Sequence, residues 1–146
     1  MDMGKIRAAS LKKARRLGYA TNPELPLLDA DLRARPQDQV VRRCLARFVT
    51  VAVAYGFDRG AAWQWLEREG LAEDLAPSER EFLEADDGDG PTAGVESLWA
   101  MCWALGMERT LDFGDYCGDH LVELFPDIKQ DAIAGPFVAR SRLRKV

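Results

Sequence analysis

The chain has 146 residues, of which 47% are apolar and 30% charged, and this composition predicts a soluble, globular protein of about one domain. A domain of this length buries enough surface to need no disulfide or metal staple. Its net charge is −4, no apolar run approaches the about 20 residues of a membrane span, and no apolar stretch follows Lys5 and Arg7 as in a secretory signal, so we expect a cytoplasmic protein.

The first predicted helix covers residues 5–17. Its apolar side chains recur every three to four positions, and Gly18 is a typical residue just past a helix end. A connector over residues 19–35 follows, marked by Pro23 and Pro26. Four leucines are expected to pin this connector to the core: Leu25, Leu27, Leu28 and Leu32.

The second predicted helix begins at Pro36, because the missing N–H of proline costs nothing in the first turn. Val41, Leu45 and Phe48 then recur at helical spacing until Gly56. Asp58 is expected to cap a third helix that reaches residue 69.

The fourth predicted helix starts at residues 76–79, and an acidic loop over residues 86–91 follows it. Thr92 is expected to cap a fifth helix, whose almost all-round apolar surface predicts a central position. Two further helices are predicted over 119–125 and 127–134, the second ending before Gly135-Pro136.

These elements predict an all-α fold, a compact bundle of about six to seven helices. We expect one domain over residues 1–146, with its core in residues 5–134. Whether the basic tail over 137–146 is ordered is left open.

The charge is unevenly distributed along the chain. Residues 1–66 have a balance of +6, residues 67–131 a balance of −14, and residues 132–146 a balance of +4. One interpretation is internal pairing, with the basic first helix and the basic tail lying against acidic helices. The other is an acidic surface that receives a basic protein. Nucleic acid is not an expected partner, because phosphate binding favours a concentrated basic face and a higher isoelectric point than ≈ 5.1.

The order of several short motifs resembles domain-of-unknown-function family 4272, an uncharacterised bacterial family. The most specific motif is Glu96-Ser97-Leu98-Trp99-Ala100-Met101-Cys102-Trp103-Ala104-Leu105-Gly106, and the likeness covers about residues 5–124. Ala93 stands where the family commonly has a tryptophan. The resemblance implies a mostly helical cytosolic domain without an assigned activity, so it supplies no catalytic residue.

Glu96, Trp99 and Trp103 lie on related faces of one helix, so the Glu96 carboxyl could be held against aromatic rings. If it were buried there, its pKa would be raised, as in carboxylic acids that act as acid catalysts. The alternative is a structural Glu96 that pairs with an arginine such as Arg42 or Arg43.

No metal or other cofactor is expected. Asp87, Asp89, Gly90 and Glu96 match part of a calcium-loop pattern, but Ala85 occupies its first ligand position. The interpretation that we prefer is an acidic solvated turn.

Cys117 and His120 would lie one helical turn apart, which suggests a nucleophilic pair or half of a zinc site. The remaining cysteines, Cys44 and Cys102, lie on apolar stripes, and a free cysteine is more often a small buried hydrophobe. Three cysteines without CxxC spacing fit reduced thiols.

Trp63 and Trp65 are separated by about 200° around their helix, so both cannot easily face one core. An exposed tryptophan is favoured at protein interfaces. The alternative is that a neighbouring element covers it.

The chain lacks the usual nucleotide, hydrolase and metalloprotease motifs, so we expect a non-enzymatic protein-binding domain. Our hypothesis is an immunity- or antitoxin-like protein that neutralises a cationic toxin through an acidic surface. The expected contact residues are Trp63, Glu84, Asp86, Asp87 and Asp89. The alternatives are a small hydrolase or transferase that uses Cys117 and His120, and a structural subunit of a homo-oligomer.

Overall fold

The structure, a computed structural model, describes residues 2–26, 33, 35–85, 94–112 and 114–144. These residues contain helices and no strand, which confirms the predicted all-α fold for the described part of the chain. The chain divides into unit 1, residues 1–35 and 112–114, and unit 2, residues 36–111 and 115–146. The prediction of a single domain over the whole chain stays a prediction.

The α-helices have the following bounds: α1 Met3–Arg16, α2 Gln37–Ala54, α3 Arg59–Arg68, α4 Pro77–Glu84, α5 Val95–Ala104 and α6 Gly135–Arg140.

Unit 1 contains α1 and the connector after it. Asp2 caps the helix by accepting the Lys5 N–H at 3.1 Å, so the helix begins two residues earlier than predicted. Gly18 has a φ of +84° and follows the last turn, as predicted. The expectation that Leu25 is pinned to the core is wrong, since this side chain is 58% exposed. Leu27, Leu28 and Leu32 lie outside the described residues.

Helix α2 is the centre of unit 2. Nine of its 18 residues are buried, and α3, α4 and α5 all pack against it. Its β-branched stretch 49–53 remains helical because the apolar spacing continues through it.

The prediction of a central fifth helix is therefore wrong. Within α5 only Leu98 and Cys102 are buried, while Trp103 is 37% exposed. The helix covers one side of α2 instead. Its N-terminal Gly94 allows a close approach, because a Cβ there would lie 2.4 Å from Cγ2 of Val51. Thr92, the expected cap, lies outside the described residues.

Helices α3 and α4 begin where the sequence predicts. Asp58 caps α3 by accepting the Ala61 N–H at 2.7 Å. Pro77 stands in the first turn of α4, where a proline loses no hydrogen bond. The 3₁₀ turn Ala72–Asp74 connects the two helices.

The C-terminal part differs from the prediction. The two helices expected there are shorter 3₁₀ stretches, Asp119–Leu124 and Ile128–Gln130. Gly135-Pro136, expected to end a helix, instead begins α6, because a proline in the first turn gives up an N–H that has no helical partner anyway.

The basic tail is tied to the end of α5 as far as Arg144. The Arg142 and Arg144 N–H groups donate to Leu105 O and Ala104 O, each at 2.8 Å. These carbonyls belong to the last turn of α5, whose oxygens have no partner within the helix. Residues 145–146 lie outside the described residues.

No helix among the described residues is both long and apolar enough to cross a membrane.

Candidate functional site

Trp63 and Trp65 point in different directions from α3, as their spacing predicts. Trp65 is 2% exposed and donates its indole N–H to Ala132 O at 2.8 Å. Trp63 is half-buried at the edge of the core. Of the two indoles, Trp63 is therefore the one that a partner can reach.

Arg80 on α4 connects Trp63 to two carboxylates. Its guanidinium carbon lies 5.6 Å from the centre of the Trp63 ring, a cation–π distance. The same side chain donates to Ala72 O at 2.7 Å and lies 3.6 Å from Glu73 Oε1 and 3.9 Å from Glu84 Oε1. The structure thus brings the predicted contact residues Trp63 and Glu84 onto one surface.

We call this area the Trp63 surface, and it consists of Trp63, Glu67, Glu73, Arg80 and Glu84. Glu67 follows Trp63 by four residues, so the two side chains share one face of α3. The three carboxylates and one guanidinium of this surface give it a charge of −2. Asp86, Asp87 and Asp89, which the sequence assigns to the same contact, lie outside the described residues.

A buried ion-pair cluster of α2 and α4, which the sequence analysis did not identify, lies beside Arg80. Glu79 is 1% exposed, and its Oε1 accepts from Arg43 Nη2 and Arg47 Nη1, each at 2.7 Å. Its Oε2 accepts the Ala76 N–H at 2.9 Å, which satisfies a donor at the start of α4. Arg47 also donates from Nε to Ser97 Oγ at 3.2 Å, so the cluster ties α2, α4 and α5 together.

The sequence contains a signal for this cluster. A glutamate three residues after the N-cap is typical of a capping box, and Arg43 and Arg47 are four residues apart on one helix face. Burial would raise the pKa of Glu79, but the hydrogen bonds from Arg43, the Ala76 N–H and Arg47 outweigh it and lower the pKa below the ordinary 4.5. Glu79 therefore carries its charge at neutral pH and holds the helices in register.

The arginines of α2 have other partners than the sequence suggests. Arg42 Nη2 lies 2.6 Å from Asp74 Oδ2, and Arg43 pairs with Glu79. Glu96, the partner considered from the sequence, is exposed on α5. A Glu96 held in an apolar pocket is thus not what the structure shows.

Internal pairing of the charge blocks occurs through α2 and, within unit 1, through Lys13 of α1, whose Nζ lies 3.5 Å from Asp112 Oδ1. In the tail, Arg140 donates to Leu124 O at 2.8 Å and Arg144 to Trp103 O at 2.5 Å. These acceptors are carbonyls, because the ends of helical segments present oxygens without partners. The expectation that the tail pairs with acidic helices is wrong for these contacts.

Cys117 and His120 do not form the pair considered from the sequence. Cys117 Sγ donates to Gly118 O at 3.6 Å, while His120 Nε2 lies 3.0 Å from Glu108 Oε1. Partial burial and the nearby Glu108 carboxylate raise the pKa of the Cys117 thiol above the ordinary 9.0. This environment disfavours the thiolate that a nucleophile requires.

We therefore expect slow alkylation of Cys117. At pH 7 it should react with iodoacetamide more slowly than free cysteine, because less of it is thiolate, and the rate should rise as the pH passes 9. Mass spectrometry of the labelled protein measures this rate. Cys117→Ser is the control and should leave the native protein unlabelled, since Cys44 and Cys102 are 0% exposed. Rapid labelling of Cys117 at pH 7 would instead favour a nucleophile.

Among the described residues, the remaining polar groups do not form a metal centre, since no group of three or more His, Cys, Asp or Glu there is arranged to hold a metal ion. Cys44 and Cys102 contact each other in the core, and this hydrogen bond together with burial raises the pKa of Cys44 well above 9.0. Asp87, Asp89 and Gly90 of the calcium-loop pattern lie outside the described residues.

Comparison with known proteins adds one match. The model of a family described as a domain of unknown function, DUF4272, matches residues 7–146. This confirms the resemblance found in the sequence and extends it through the tail. No curated protein and no solved structure matches the chain.

Proposed function

Since the chain belongs to the DUF4272 family, whose description assigns no activity, we propose from its own surfaces that it is a cytoplasmic, non-enzymatic protein-binding domain. The partner is a cationic protein, and the role that fits best is that of an immunity- or antitoxin-like protein that neutralises a basic toxin. The Trp63 surface is the contact site.

The observation that carries this proposal is the arrangement around Arg80. An indole and two carboxylates already hold one guanidinium there, so the same groups suit an arginine or lysine of a partner. Glu67 is exposed and forms no ion pair with a described residue, which leaves negative charge for an incoming cation. Asp86, Asp87 and Asp89 follow Glu84 closely in the sequence and add three charges.

Electrostatic complementarity would act mainly on the association rate, and Trp63 would supply the desolvated anchor. Binding of this kind weakens with salt, because ions screen exposed charges beyond about 8–10 Å at physiological ionic strength.

The experiment starts with capture of a partner from the native lysate at low salt and its identification by mass spectrometry. The purified partner is then titrated against the intact chain and its variants by calorimetry. We expect Trp63→Ala, and the triple variant Asp86→Ser, Asp87→Ser, Asp89→Ser, each to weaken binding on the order of tenfold.

The matched control is Asp115→Ser, Asp119→Ser, Glu123→Ser, which removes three exposed acids of unit 2 that are not part of the Trp63 surface. It should change the affinity by less than about twofold, since exposed charges outside the contact contribute little. The proposal is rejected if no basic protein is released by salt. Equal effects of the two triple variants would also contradict it.

A further inference from the structure

Arg80 occupies the Trp63 surface in the way that a bound arginine would. Its guanidinium carbon lies 5.6 Å from the centre of the Trp63 ring, and its Nη2 donates to Ala72 O at 2.7 Å. The carboxylates of Glu73 and Glu84 lie 3.6 Å and 3.9 Å from its nitrogens. An aromatic ring, a carbonyl and carboxylates are the groups that bind guanidinium ions in proteins. The surface is therefore complementary to an arginine side chain, and the chain supplies one itself.

The contacts of Arg80 are those of a side chain that can exchange. Both carboxylate distances exceed about 3.2 Å, the usual upper limit of an N–H···O hydrogen bond, so these two pairs are held by charge attraction alone. The side chains of Arg80, Glu84 and Glu73 are 36%, 57% and 93% exposed. Exposed ion pairs contribute little to stability, so the removal of Arg80 from this position costs the fold little.

Arg59 on α3 shows the contrasting case of a structural arginine. It also lies over an aromatic ring, with its guanidinium carbon 4.5 Å from the centre of Phe82. Its Nη1 donates to both Phe82 O and Ala85 O, which are carbonyls at the end of α4. These oxygens have no partner within the helix, so Arg59 satisfies acceptors that the fold leaves open. Arg80 satisfies one carbonyl and otherwise faces exposed carboxylates.

The arrangement around Arg80 favours an arginine over a lysine. A guanidinium is planar and carries N–H donors around its edge, so it can lie over a ring and donate to acceptors beside the ring at the same time. Arg80 does both, towards Trp63 and Ala72 O. An ammonium is a compact, strongly hydrated charge and contacts fewer of these groups at once.

We propose that Arg80 is an internal occupant of the Trp63 surface and that an arginine of the partner replaces it over the Trp63 ring. The displaced Arg80 keeps its pairing with Glu84, four residues further along the same helix. The incoming guanidinium takes Trp63, Ala72 O and Glu73. The partner is the cationic protein of the proposed function, on which this assignment rests, and the group recognised on it is an arginine.

Arg80→Ala is expected to bind a free arginine probe more tightly than the wild type, because the affinity of a site rises with the fraction of molecules in which it is open. The probe is N-acetylargininamide, titrated into the intact isotope-labelled chain while the Trp63 indole N–H resonance is followed by NMR. The spectrum of Trp63→Ala identifies that resonance. We expect at least about fivefold tighter binding to Arg80→Ala than to the wild type. N-acetyllysinamide should bind Arg80→Ala more weakly than the arginine probe does.

Three further variants are the controls. Lys129→Ala removes the same charge at an exposed position outside the Trp63 surface and should bind the probe as the wild type does. Glu73→Gln in the Arg80→Ala background should reverse the gain, because it removes the most exposed carboxylate of the site. Arg80→Gln removes the charge but keeps part of the side-chain stem, and it should bind the probe more tightly than the wild type. Circular dichroism confirms that each variant is folded.

Equal affinities of the wild type and of both Arg80 variants for the arginine probe would overturn the exchange. An equal gain in Lys129→Ala would also overturn it, since net charge alone would then attract the probe. Two results distinguish the exchange from the proposed function. A captured basic protein that binds Arg80→Ala no more tightly than the wild type contradicts the exchange alone. A chain that captures no basic protein, but whose Arg80→Ala variant gains arginine binding, supports the arginine site and rejects the proposed function.

Discussion

Glu79→Gln is expected to lower the free energy of unfolding by about 3 kcal/mol, the lower end of the range for removing one partner of a buried ion pair. The lower end applies because the Arg43 and Arg47 side chains are 29% and 15% exposed. Water can therefore hydrate them in part when the carboxylate is removed. Glutamine keeps an oxygen that can accept the Ala76 N–H, so the loss arises mainly from the two arginines. Urea denaturation followed by circular dichroism measures it.

The difference in the free energy of unfolding between the wild type and Glu79→Gln should become smaller as the pH falls. The pKa of Glu79 is lower in the folded protein than its ordinary 4.5, so the charged carboxylate stabilises the fold fully above that value. As the pH falls below 4.5, the unfolded chain takes up a proton that the folded chain resists, and the stabilisation is lost. The two unfolding energies should therefore converge in acid, and a difference that grows there would contradict this assignment.

Glu81→Gln is the matched control on the same helix. Glu81 is exposed and forms no ion pair with a described residue. Its replacement should change the free energy of unfolding by less than about 0.5 kcal/mol, as for most surface substitutions. Equal losses for Glu79→Gln and Glu81→Gln would mean that helix charge, and not the buried cluster, determines the effect.

The features that the sequence predicts correctly are those with local causes. The Asp58 cap and the Pro77 start depend on residues within one turn of each helix, and the structure shows both. The prediction that Trp63 and Trp65 point in different directions depends only on the angle between their positions on the helix. Such signals are complete within a few residues, so they can be identified without knowledge of the tertiary fold.

The wrong predictions depend on which elements meet. The all-round apolar surface of α5 predicts a central helix, but the longer α2 occupies that place and Trp103 of α5 is partly exposed. The partner of Arg43 is Glu79 and not Glu96, because α4 packs on α2 at that level. The sequence predicts correctly that Arg43 forms an ion pair. Which carboxylate is its partner depends on packing between segments that are distant in the sequence.

Trp65→Ala is expected to be strongly destabilising, because Trp65 is a buried side chain and not a peripheral one. Trp65 is 2% exposed and is among the largest fully enclosed side chains of the core. Its truncation should lower the free energy of unfolding by about 3–5 kcal/mol, because the surrounding side chains cannot fill the cavity. Trp65→Phe keeps much of the volume but removes the donor to Ala132 O, so it should cause a smaller loss of about 1–2 kcal/mol.

Trp63→Ala completes this test, because it removes the same chemical group two positions away on the same helix. Trp63 lies at the edge of the core beneath Arg80, so its loss removes one exposed cation–π contact and partial burial, together about 1 kcal/mol. Urea denaturation of the three variants should give the order Trp65→Ala, then Trp65→Phe, then Trp63→Ala, from the largest loss to the smallest. If Trp63→Ala proved as costly as Trp65→Ala, Trp63 would be a core residue. A core residue is unavailable as an anchor, and the Trp63 surface would lose its role in partner binding.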